Sequence, residues 1–207
     1  KVNDGGNNAS ANSIQAVGNL DITAGTSISR SDGNGVNLGA KAIGLSAGSS
    51  IGPMGGTVIA STGDLVLSAV TSITADSLSA TAGSIDIDSG TTVSVNSLAA
   101  GSAVFVTSAG AMTLGGVTAS NGIVDLLATG AASDITLGAN ITATNTGLTA
   151  AQPGIRAVAG RDVLVGSTTS LTTLGSGGIT LQAVRDVNLK VNDGGNNAST
   201  NIIQGAG

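Results

Sequence analysis

Pairs of branched apolar residues spaced i, i+2 return along this chain about every 24 residues, and that cycle restricts the possible folds more than any other feature. The pairs are Leu20/Ile22, Ile43/Leu45, Leu65/Leu67, Ile85/Ile87, Val104/Val106, Ile135/Leu137, Val163/Val165 and Val187/Leu189. Alternation of period 2 is the mark of a strand, where every second side chain shares a face. A turn residue stands before most pairs (Asn19, Asp64, Ser84, Asp134, Asp162, Asp186). Two positions after the pair sits a small one: Ala24, Ala47, Ala69, Ser89, Ser108, Ala139 or Ser167. Six residues beyond most pairs comes another apolar position, Ile28, Ile51, Ile73, Val93, Met112 and Leu171, with Ile141 arriving early. One such cycle cannot bury its apolar face alone, but stacked cycles bury it continuously.

A longer period encloses the short one. Residues 190–207, KVNDGGNNASTNIIQGAG, repeat residues 1–18, KVNDGGNNASANSIQAVG, with 14 of 18 positions identical, so a 189-residue unit closes and its opening motif returns at Lys190. Eight short cycles fit that unit. The predicted fold is all-β, a parallel β-helix or β-solenoid of about eight coils per 189-residue unit. It runs as one continuous segment over residues 1–207, with like positions stacked at roughly 4.8 Å.

Composition agrees and removes most other functions. Gly, Ala, Ser and Thr make up 112 of the 207 residues, so a thick conventional core is excluded, while 51 Val, Ile and Leu keep the chain well above the disordered range. Strong helix formers are scarce, since Glu is absent and there are three Lys. Without His or Cys there are no disulfides, no imidazole or thiolate metal sites, no Ser-His-Asp triad and no cysteine nucleophile. All twelve acidic residues are Asp, and the net charge of −5 removes the basic field that nucleic acid or an anionic membrane attracts. Ser, Thr, Asn or Asp interrupts every apolar run long before the roughly 18 residues of a membrane span.

The stretches GNLDITAGTSI, GDLVLSAVTSI, GRDVLVGSTTSL and VRDVNLKV resemble the degenerate repeats of filamentous-haemagglutinin-like exoproteins, the large bacterial surface adhesins of two-partner secretion. That resemblance implies a right-handed β-helical shaft, secretion to the surface of a Gram-negative bacterium, and a structural part in attachment, aggregation or biofilm. Nothing in the chain matches the Asn-Pro-Asn-Gly-type motif of that family's secretion domain. The expected partners are further coils of the same protein and a cell-surface glycan or receptor that the sequence does not identify.

Four sets of residues stand out as candidate sites. Asp86 and Asp88 alternate with Ile85 and Ile87, which places two outward carboxylates about 7 Å apart on one strand, a separation suited to acid/base work on a sugar. No basic residue accompanies them in their cycle, and the expectation is that the protein is not an enzyme. Outward neighbours of the later apolar column are mostly hydroxylated: Ser27, Ser29, Ser50, Ser72, Thr74, Thr92, Ser94, Thr113, Thr142, Ser170 and Thr172. Stacked, they would make one face able to bind glycan or ice, or simply a solvated β surface. Val66, Phe105 and Leu164 fall between the members of their pairs and would stand as outward apolar residues along one side, a possible lateral contact between rods. The loops holding Asp4, Asp32 and Asp193 offer oxygen ligands of the kind Ca2+ takes, but one carboxylate per loop is few, and turn chemistry accounts for the same residues. No cofactor is expected.

Overall fold

The computed structural model describes residues 12–30, 35–148, 152–189 and 202–204. Among these there is no helix, and all strand pairing between coils is parallel, in an eight-stranded and a twelve-stranded sheet. The chain is a β-solenoid of about eight coils, as the periodicity predicts.

Each coil passes through three walls. The first wall is the eight-stranded sheet, with Leu20–Ala24, Ile43–Ala47, Leu65–Ala69, Ile85–Ser89, Val104–Ser108, Val124–Ala128, Pro153–Ala159 and Gly178–Ala183 stacked in that order. The second and third walls share the twelve-stranded sheet. Strands Ile73–Ala80, Val93–Ala100 and Met112–Ala119 each run through both, and the next coil splits the run into Ile135–Leu137 and Ile141–Asn145. On the first wall Leu65, Ile85 and Val104 form one inward column and Leu67, Ile87 and Val106 another, all buried. The third wall adds Val58, Leu78, Leu98, Val117, Ile141 and Leu171. Burying each branched side chain contributes about 1.5 to 3 kcal/mol, and the columns sum that gain without any large residue.

Close stacking explains the small residues. The first wall closes on a column of Ala47, Ala69, Ser89, Ser108, Ala128 and Ala159, all buried. The Ser89 hydroxyl donates to the carbonyl oxygens of Thr71 at 2.5 Å and Thr92 at 3.0 Å, and the Ser108 hydroxyl to that of Gly110 at 2.7 Å. At the following corner a Cβ on Gly90 would stand 1.9 Å from the Val70 carbonyl oxygen, so the coils approach this closely only over glycine. The long strand Ile51–Ala60 takes up two register shifts, where Gly52 and Gly56 have φ of 109° and 137°.

The eight apolar pairs are not one stack. Leu20/Ile22 through Val104/Val106 lie on the first wall, whereas Ile135/Leu137, Val163/Val165 and Val187/Leu189 lie on the second. The true successors of Val104/Val106 are Val124/Leu126, Ile155/Ala157 and Ile179/Leu181. Alternation is blurred there, because Leu127 follows Leu126 directly and Ala157 replaces a branched residue. The later column slips likewise: Ile51, Ile73, Val93 and Met112 are on the second wall, Ile141 and Leu171 on the third.

Candidate functional site

Outward columns are the surfaces through which a rod of this kind meets anything else, and the register assigns them. On the first wall one column reads Asp21, Gly44, Val66, Asp86, Phe105, Asp125, Arg156, Thr180. Val66 and Phe105 are partly exposed and flank Asp86 from the two neighbouring coils. Partial burial pushes the Asp86 carboxyl above its ordinary value, and the charges of Asp88 and Asp64 add to the rise. Asp88 lies in the next outward column between Ser68 and Thr107. No cation is a register neighbour of either carboxylate; Arg156, further along, donates from Nη1 to the two Asp125 carboxylate oxygens at 2.8 and 3.1 Å.

Leu164 does not join Val66 and Phe105. It is half-buried on the second wall, between Thr136 and Asn188, so the three apolar residues occupy two sheets and form no single stripe. The hydroxyl face divides for the same reason. Thr74, Ser94, Thr113 and Thr136 make a ladder on the second wall, while Thr118, Thr142 and Thr172 make another on the third. Ser72 and Thr92 sit at the entrance to the second wall, where their carbonyls accept the N–H of Ile51 and Ile73. Ser27 and Ser50 share a hydrogen bond of 3.0 Å between their hydroxyls in the first coils.

Asp134 and Asp162 do work that a turn residue does not. The Asp134 carboxylate accepts from Arg161 Nε at 2.7 Å and Nη2, and from the Asp162 N–H at 3.2 Å. One coil later Asp162 accepts from Arg185 Nε at 2.9 Å and Nη2, and from the Asp186 N–H at 3.2 Å. Hydrogen bonding from Arg161 holds the Asp134 carboxyl below its ordinary value, and Arg185 does the same for Asp162. The Asp162 side chain is buried although charged, which two donors of fixed geometry make tolerable. The sequence carried a sign of this ladder in the dipeptide Arg161-Asp162, repeated as Arg185-Asp186.

A shallow groove of about 240 Å³ opens on the third wall between Gln15, Asn37, Gly39, Thr57 and Ile59. Gln15 lies across Gly39, where a Cβ would stand 2.1 Å from its Oε1, and Asn37 Oδ1 accepts from the Thr57 N–H and hydroxyl at 3.0 Å each. Asp4, Asp32 and Asp193, whose loops offer oxygen ligands of the kind Ca2+ takes, lie outside the described residues. Among those described, no three His, Cys, Asp or Glu are grouped to hold a metal ion. Comparison with protein-family models, curated proteins and solved structures returns no match.

Proposed function

We propose that this chain is a length of the shaft of a large, repetitive extracellular adhesin or filament of the filamentous-haemagglutinin-like kind. The observation that carries the reading is the set of apolar columns running from coil to coil through the whole solenoid, with outward columns that are mostly small and polar. Such a rod is stiff because bending it must separate stacked coils on one side, breaking hydrogen bonds and opening apolar contact together. Its work is to hold other modules of the molecule away from the cell, supporting attachment, aggregation or biofilm growth. The excess of Asp over Lys and Arg keeps neighbouring rods apart in solution.

The test is made on cells that produce the full-length protein. Antibody raised to residues 65–119 should label intact cells, external protease should remove the label, and an in-frame deletion of the 189-residue unit should shorten the surface fibre and weaken attachment. Label that appears only after lysis would rule the proposal out. An enzymatic role for Asp86 would instead show as turnover of an acidic polysaccharide abolished by Asp86→Asn, and a glycan-binding face as saturable binding lost in Thr74→Val with Thr113→Val.

A further inference from the structure

The inward columns are covered on both sides in mid-rod and on one side only at the first and last described coils. In mid-rod Leu65, Ile85 and Val104 are 0% exposed, but at the C-terminal end Val187, Leu189 and Ile203 are 41, 45 and 43% exposed. At the opposite end Ile14, Leu20, Ile22 and Ile28 are only half-buried. Each end thus presents branched residues in columns that a further parallel coil would cover.

The third wall tells which coil fits. Its inward column is Ile14, Leu38, Val58, Leu78, Leu98, Val117, Ile141, Leu171 and Ile203, each in register with the next. Ile14 and Ile203 are the same position of the repeated motif, one full unit apart in the sequence, and eight strand-to-strand steps separate them. Nothing in a sequence repeat obliges its period to equal a whole number of coils. Here it does, although the individual coils differ in length.

We propose that the C-terminal edge accepts a further copy of the 189-residue unit in this one register, so that successive units continue all three walls in phase. The inference rests on the shaft reading and adds to it that the rod has fixed sides. The second unit's Leu20–Ala24 strand then lies on Gly178–Ala183, and its Val36–Ala40 strand lies on Ile202–Gln204. A slip of one residue would turn the second unit's Asp21 and Thr23 inward among the columns. One unit advances the rod by about 38 Å at roughly 4.8 Å per coil. Every outward residue, Thr74 or Phe105 for example, recurs on the same wall at that interval.

A tandem chain in which residues 19–189 follow Gly207 supplies the second unit covalently, and the absence of native cysteine leaves cross-links unambiguous. Gln182→Cys should form a disulfide with the second unit's Thr23→Cys under mild oxidation, because adjacent strands bring the two Cα atoms to about 4.8 Å. The same Gln182→Cys with the second unit's Ser46→Cys, about 9.6 Å away, should give no intramolecular product. Spin labels at Thr74→Cys in both units should report a narrow separation of about 38 Å. Cross-linking to Ser46→Cys instead, or a broad label separation in a tandem that is still an extended β rod, overturns the phase and leaves the shaft standing. A compact tandem by small-angle scattering overturns both.

Discussion

The coils between Leu65 and Ala119 and those between Ser133 and Leu189 solve the same register problem by different means. The central coils are nearly equal in length, since the first wall's stations at Leu65, Ile85, Val104 and Val124 fall at almost even intervals along the chain. Apolar alternation places them, since a one-residue slip would turn a whole strand inside out, and the Asp64 and Asp76 carboxylates add only uncharged donors, the Ser84 N–H at 2.8 Å and Asn96 Nδ2 at 3.0 Å. Beyond Val124 the next station is Ile155, a step half as long again. Unequal coils leave the chain more ways to pair, and here Asp134, Arg161, Asp162 and Arg185 tie each coil to the one before through bidentate contacts. In the regular coils apolar stacking goes with uncharged hydrogen bonds; in the irregular ones arginine–aspartate pairs are added.

That contrast can be broken at several points. The largest effect is expected from Ile87→Asp, which sets an unpaired carboxylate in a fully buried central column and should cost on the order of 4 kcal/mol. Urea midpoints followed by circular dichroism would measure it, and an unchanged midpoint would remove Ile87 from the core. Asp162→Asn should come next. It takes from Arg185 the carboxylate it grips with two nitrogens, and the loss of amide-exchange protection should be confined to the coils after Ala159 while the central coils keep theirs. Uniform loss along the rod would mean that the ladder does not act locally.

Acid should separate the two regions without mutation. Asp134 and Asp162 titrate below their ordinary value in the folded chain, so their contribution is complete above the unfolded value of about 3.9 and is lost as pH falls through the lowered folded values. Asp86 titrates above its ordinary value, so its contribution has the opposite sign: it is complete below the unfolded value and lost as pH rises through the raised folded one. Protection factors measured from about pH 6 downwards should fall first in the C-terminal coils. The smallest effect belongs to Ser89→Ala. Thr71 and Thr92 oxygens still accept the N–H of Thr91 and Ile73, and Ala already fills this column at Ala69, so the loss should stay below about 1 kcal/mol.

The architecture was legible because period-2 alternation survives in almost every coil, and the number of coils followed from it. What the sequence concealed was identity among walls. Ile135/Leu137 after Asp134 has the same local form as Ile85/Ile87 after Ser84, yet one pair belongs to the second wall and the other to the first. A strand pattern records which side of the backbone a residue faces and carries no mark of which wall it stands on. The pattern therefore groups Leu164 with Phe105, and Thr142 and Thr172 with Thr113, although the register sets each group on different walls. The ladder of Asp134 and Asp162 leaves one mark in the sequence, the Arg161-Asp162 dipeptide repeated as Arg185-Asp186, but Asp before a strand is also ordinary turn chemistry, and spatial neighbours identify the guanidinium it holds.

The parallel stacking of adjacent coils has a kinetic consequence. Nearly every strand pairs with one about 20 to 30 residues away in sequence, so relative contact order is low for a chain made entirely of β structure. Loop-closure entropy is paid in small, similar instalments, and once one pair of coils has formed, each neighbour finds its template ready beside it. A chain of this design can grow its ordered part outward from any nucleus, and its folding time should rise with the number of coils far more gently than that of a sheet whose edges come from distant parts of the sequence.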